Sequence, residues 1–237
     1  MGDAAFPSAV HALTVALLAV TLALYALGVA RLWRKAGVAR GISTREVCSF
    51  VAGWLTVAFA LLSPLHHAAE RLLWAHMVQH ELLMVLAAPL LALGRPLEAW
   101  SWVVPVRVPK VLSDPLFAWA LHALGVWIWH VPAFFQAAVH SEWLHLAQHA
   151  SFFLPAALFW WTIFSGRQLA GLLSLFTTML HTGALGALMA LARAPWYAGY
   201  GLEDQQLAGL IMWVPAGLVY PLAALWLISR SLRRCAT

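Results

Sequence analysis

Charge is what this sequence has least of. Lys, Arg, Asp and Glu make up 10% of its 237 residues, where a soluble domain carries about 25%, so a water-facing globular surface is excluded. Cysteine is scarce too. Cys48 and Cys235 stand far apart with no Cys-x-x-Cys pairing, which removes a disulfide framework and a thiol relay. The sequence holds no Gly-rich phosphate loop, no Ser–His–Asp set and no pair of catalytic carboxylates, so an enzyme has little support. Strand-like alternation over ten-residue segments is missing, which argues against an outer-membrane barrel. Met1-Gly2-Asp3 lacks the basic flank of a signal peptide. The basic residues follow the first apolar run instead, so that run is expected to remain as a helix.

What the sequence has is apolar length. Hydrophobic residues make up 63% of it and the mean hydropathy is +0.80. Several apolar runs reach about 20 residues, enough to cross a ~30 Å hydrocarbon core as helices. The expected architecture is all-α: a polytopic membrane protein of about seven transmembrane helices, one bundle domain over residues 1–237. The spans are expected near about 8–30, 47–64, 72–93, 116–131, 143–164, 169–192 and 205–229. Between them, the segment around Trp100 and Trp102 reads as interfacial, Phe134 to Glu142 as a turn or short surface helix, and Gly166-Arg167 as a tight turn.

Seven spans put the two termini on opposite sides. With the amino terminus outside and the carboxy terminus cytoplasmic, all of the 14 Lys and Arg residues except Arg71 and Arg193 fall on the inner side, as the positive-inside rule asks. The net charge of +5 therefore reports orientation, and no nucleic-acid partner is expected. The same orientation gathers His11, His66, His67, His76, His80, His130, His140, His145 and His149 at or near the outer helix ends. His122 and His181 lie deeper.

Two of these outer segments repeat one motif: His76-Met77-Val78-Gln79-His80 and His145-Leu146-Ala147-Gln148-His149. Histidines four apart on a helix share a face, and two such pairs entering the bilayer at one level can converge. Neutral imidazole is the commonest metal ligand, so His76, His80, His145 and His149 are candidate ligands, with His130 as a fifth or a substitute. Gln79 and Gln148 are placed to hydrogen-bond ring N–H groups and fix their tautomers. The plainer reading is that these histidines sit at the interface, bonded to carbonyls and water. Imidazole alone does not choose between zinc, copper, iron and nickel. Met77, beside His76, would add a thioether and favour Cu(I), whereas most other methionines read as packing.

Glu81 is the one carboxylate inside an apolar run. An oxygen ligand, a proton acceptor and a polar packing residue all remain open for it. His181, in mid-helix, marks either an inward metal or proton path or a satisfied core histidine. Glu203 and Asp204 read as first-turn and cap residues of the last helix, and Gly183 and Gly186 as sites of close helix packing.

The sequence also resembles a family, the CtaG-type cytochrome c oxidase assembly factors of the caa(3) oxidase branch. The resemblance lies in Ser63-Pro64-Leu65, His76-Met77-Val78-Gln79-His80, Ala88-Pro89, Leu93-Gly94-Arg95-Pro96, Trp127-x-Trp129-His130-x-Pro132, Gln148-His149, Phe159-Trp160-Trp161 and Asp204-Gln205-Gln206 through Gly209 to Met212-Trp213. It implies a bacterial inner-membrane protein that helps mature a haem–copper oxidase by bringing copper to it. Its partners would be an oxidase subunit and an extracytoplasmic copper donor protein. Where the family's usual pattern has an acidic residue before the second histidine of the fifth span, this sequence has Gln148. Two other classes fit the histidines: a haem-binding membrane electron carrier with axial ligands from two helices, and a copper permease using His181 and Met179 as an inner relay.

Overall fold

A computed structural model describes residues 8–165 and 168–235 of the protein; Met1–Asp3 and the turn expected at Gly166-Arg167 lie outside them. Among the described residues every regular element is helical. The first span, α1 (Ala9–Ala36), begins where the Ser8 hydroxyl accepts from His11 N and ends at Gly37, whose φ is +98°. It continues past the expected stop at residue 30 because Arg31 donates to the Trp102 carbonyl and Lys35 sits over the Trp102 ring. Cations in a last turn also suit the helix dipole. The second span, α2 (Thr44–Leu62), opens with a Ser43/Glu46 capping box and stops at Ser63-Pro64. Pro64 starts the short α3 (Pro64–Ala69), as proline suits a first helical position.

The next span, α4 (Leu73–Leu93), carries the first histidine pair and then widens into a π-helical stretch, Leu82–Ala87. Pro89 accounts for it. Proline supplies no N–H to the turn before it and its ring crowds that turn's carbonyl, so the helix takes up an extra residue. The Met84 carbonyl inside the stretch accepts from Trp160 Nε1 at 3.0 Å, which ties α4 to the fifth long helix. After α5 (Pro96–Ser101) and a 3₁₀ turn (Lys110–Ser113) comes α6 (Pro115–His130). The chain then bends by 78° into α7 (Pro132–Val139). Pro132 forces that bend, since the residue before it, Val131, is held extended at ψ 127°. The segment expected as a turn or short helix is thus mostly helix.

The remaining helices are α8 (Glu142–Phe164), α9 (Gln168–Ala190) and α10 (Leu202–Cys235). Five of the long helices are long and apolar enough to cross a membrane, and the bent pair α6–α7 makes a sixth. The span expected near 143–164, α8, has 23 residues, but His145, Gln148, His149 and Ser151 lower its apolarity and it falls outside that set.

Two close approaches set the packing. A Cβ on Gly125 of α6 would stand 2.9 Å from the Ser151 carbonyl of α8. Pro155, four residues on, leaves that carbonyl without its helical N–H, so α6 can press against it. Between α9 and α10, a Cβ on Gly186 would stand 2.8 Å from the Gly209 carbonyl, the small-residue packing expected there. The main core runs through Met84, Phe152, Phe159, Trp160, Leu185, Met212 and Tyr220.

Candidate metal centre

Helices α4 and α8 run side by side with their histidine pairs level. The His76 and His80 ring centres are 4.2 Å apart and those of His145 and His149 4.3 Å. Between the helices, His76 lies 5.3 Å from His145 and 6.1 Å from His149, and His80 lies 5.5 Å from His149. A metal–nitrogen bond of about 2.0–2.1 Å, with the ring centre about 1.1 Å beyond, lets two imidazoles on one ion stand up to about 6.3 Å apart. His76, His80 and His149, and likewise His76, His145 and His149, are therefore close enough for three rings to share an ion. They are not already arranged around one: among the described residues no group of three or more His, Cys, Asp and Glu side chains stands in metal-holding geometry. Closing on an ion would need ring rotation within the cluster.

Burial is nearly complete for three of the four, and His145 is half-buried. His76 and His80 are each 1% exposed and His149 5%. Nε2 of His76, His80, His145 and His149 is buried without a hydrogen-bond partner among the described residues. An unpaired buried polar atom costs about 1–3 kcal/mol, so four in one place ask for a ligand or ordered water. These donors fit a borderline or soft cation. His130 joins from α6 through Phe152, whose ring lies 6.1 Å from it and 4.4 Å from His80. Its Nδ1 meets the Val126 carbonyl at 2.7 Å. A carbonyl only accepts, so Nδ1 carries the hydrogen and the Nε2 lone pair is left free. Met77 is wholly buried in the apolar core with Leu73 and Met84.

The two glutamines behave differently from expectation. The Gln79 amide nitrogen donates to the Ala60 carbonyl at 2.6 Å and to His66 Nδ1 at 3.1 Å; it gives a hydrogen to a ring nitrogen and takes none from the motif's own pair. The amide atoms of Gln148 are buried with no hydrogen-bond partner among the described residues.

Sequence reasoning passed over His66. It stacks on His145 with ring centres 5.6 Å apart and lies 6.4 Å from His149. Burial holds its pKa below the ordinary histidine value; nearby Glu70 pulls the other way. The signal was the Ser63-Pro64 break, which folds α3 back over the start of α4.

A roof closes this end of the bundle. Phe135 of α7 packs 5.3 Å from His76 and 4.2 Å from Tyr197. The Tyr197 hydroxyl donates to the His130 carbonyl at 2.9 Å; burial pushes its own pKa above the usual tyrosine value. Gln205 Oε1 accepts from Trp196 N at 2.6 Å. Asp204 stands with Glu203 in the first turn of α10, as expected, but its side chain reaches across to another helix. Its carboxylate accepts from Leu73 N and Trp74 N, both at 2.9 Å, and so caps α4, whose Leu72 offers no side-chain oxygen.

Elsewhere, Glu81 Oε2 and both nitrogens of His181 are buried without partners among the described residues, and His181 lies 6.2 Å from Trp119. A groove of about 590 Å³ between α1, α2, α4 and α8 reaches His149 from the side. Its walls are mainly apolar, with Leu18, Val57, Phe153 and Ala157 among them.

These features define an all-α bundle of membrane-length helices with a buried imidazole cluster at one end. The chain belongs to the family of cytochrome c oxidase caa3 assembly factors (Caa3_CtaG), which it matches over residues 23–234. No curated protein and no solved structure matches it.

Proposed function

We propose that the protein carries copper as cargo in the cluster formed by His76, His80, His145 and His149, and passes it to an oxidase subunit during assembly. Membership in an assembly-factor family supplies the broader role, in maturation of the oxidase, and implies work other than catalysis. One observation carries the finer reading: four imidazoles from two helices meet with their Nε2 atoms buried and unpaired. Intramembrane ionisable groups are retained for function far more often than by accident. His130, its tautomer set by Val126, is a fifth donor, and Met77 is the candidate thioether. Imidazole with thioether favours Cu(I). Release to the client needs no chemistry beyond ligand exchange, with each nitrogen–metal bond replaced by one from the acceptor.

In this reading α8 is the seventh span. Its polar residues Gln148 and His149 are buried inside the bundle, so its lower apolarity does not oppose insertion. The amino terminus then lies outside and the carboxy terminus in the cytoplasm of a bacterial cell. The cluster faces the extracytoplasmic side of the inner membrane, where a copper donor protein can reach it.

The test is metal analysis of the purified protein after growth with copper. Copper is expected in the wild-type protein, with at least a tenfold loss in His76→Ala and in His149→Ala. Equal copper in all three proteins removes these ligands.

A further inference from the structure

The imidazoles do not end at the buried cluster. The ring of His67, its side chain 81% exposed, is 6.0 Å from the ring of His66. His66 is 5.6 Å from His145, which is 5.3 Å from His76 and 4.3 Å from His149. His76 in turn is 4.2 Å from His80. Five successive rings thus lead from water to a side chain that is 1% exposed. Every step is shorter than the separation of about 6.3 Å at which two imidazoles can hold one ion together.

We propose that His67 and His66 of α3 form the entrance through which a metal ion reaches the buried histidines. This rests on the copper reading of the cluster and adds the route of loading. The surroundings of the entrance suit a cation. Glu70 lies 4.0 Å from His67, and Glu70, Glu142 and His11 all lie within electrostatic range of His66. Carboxylates at a mouth raise the local concentration of a cation, and neutral imidazoles beyond it take over coordination one at a time.

The hydrogen bonding at His66 defines the exchange step. The Gln79 amide nitrogen donates to the Ala60 carbonyl, so it is the NH₂ group that faces His66 Nδ1, and that nitrogen accepts. The ring hydrogen is therefore on Nε2. An ion arriving at His66 takes the Nδ1 lone pair: the metal–nitrogen bond forms as the Gln79 N–H···N bond breaks. No proton or electron is transferred. His145, stacked on His66 with its own Nε2 unpaired, is the next donor. The lateral groove offers no comparable path. Besides His149, its lining oxygens include the Thr14 and Thr21 hydroxyls, each already bonded to a carbonyl of its own helix.

Loading kinetics test the route. Copper(I) is presented as its bicinchoninate complex to the purified full-length protein in detergent micelles, and loss of the chelate's colour gives both a rate and a final copper content. His67→Ala is expected to slow loading at least threefold, and His66→Ala with His67→Ala at least tenfold, with final content equal to wild type. His67 is exposed, so its single variant tests the route even if the double variant folds poorly. Wild-type rates in both variants overturn the entrance while leaving the buried site standing. A fall in final content as large as that of His76→Ala also overturns it, because His66 would then belong to the holding set. No uptake by the wild-type protein sinks the copper reading itself.

Discussion

Two polar regions of this bundle invite comparison. Around Tyr25 and Arg95, at the end where α1 meets α5, the polar groups are almost all engaged. The Tyr25 hydroxyl donates to the Gly94 carbonyl at 2.8 Å, Trp33 Nε1 to the Ile42 carbonyl, and Arg95 to the Gly41 carbonyl while pairing with Glu46 and Glu98. Ser43 and Glu46 satisfy each other. Trp100 Nε1 is the exception. At the other end, five histidines of α4, α6 and α8 hold buried Nε2 atoms with no partner among the described residues. The same chain satisfies its polar atoms in one place and withholds partners in another. Structural polar groups are paired because leaving them unpaired is costly, and the proposed copper site is one way in which the unpaired cluster would gain its partner.

The largest expected effect bears directly on that contrast. His76→Ala combined with His149→Ala removes one donor from each helix and should lower copper affinity at least a hundredfold, measured by competition with a chelator. Tyr25→Phe, which alters the paired region, should leave copper binding unchanged. Equal losses in the two proteins would mean that copper content reports folding and not ligation, and the contrast would collapse.

Next in size is Asp204→Ala. Its carboxylate caps α4 from a helix about 130 residues further along, and both bonds are charge-assisted. Loss of a cap costs about 0.5–2 kcal/mol, and hydrogen bonds to a charged group reach the upper part of that range. A cost of about 2 kcal/mol is expected by thermal unfolding in micelles, with weaker copper retention because α4 loosens at the histidine end. Asp204→Asn keeps one acceptor oxygen and should recover part of both. No change in either variant would show that water caps α4.

Smaller again is Tyr25→Phe, expected to cost about 1 kcal/mol by the loss of one buried hydrogen bond. The ring stays stacked on Phe50, 3.5 Å away. A cost near zero would mean that the paired region is not held by its pairs.

What could be read from the sequence divides along physical lines. Helix positions were legible because apolar length and proline punctuation are local. The doubled His-x-x-Gln-His motif was legible because helical periodicity fixes which residues share a face, and equal depth then brings α4 and α8 level. Longer-range features were hidden. Asp204 reads as a cap of its own helix because nothing local shows that α10 begins beside Leu73. His66 reads only as one of the outer-end histidines because its place beside His145 depends on how α3 packs. Gln79 reads as a partner of its own histidines because its bonds to Ala60 and His66 come from other helices. The π-helical stretch had a local cause in Pro89, but its use, freeing the Met84 carbonyl for Trp160, depended on α8.

The smallest expected effect is the most discriminating. His80 is 1% exposed and neither ring nitrogen has a partner among the described residues, while its ring lies 4.4 Å from Phe152. In metal-free protein, His80→Leu removes two unsatisfied polar atoms and sets an apolar group of similar size against an aromatic ring. Replacing an unpaired polar group in this way is close to neutral or stabilising, so the unfolding temperature without metal should hold or rise. Adding copper stabilises the wild-type protein through binding to the folded state, and that increment should shrink in the variant. A paired histidine would behave the other way, losing stability without metal and keeping the increment. A cost above about 1 kcal/mol in the metal-free variant would mean that ordered water already serves those nitrogens. The contrast between a satisfied end and a waiting end would then no longer hold at His80.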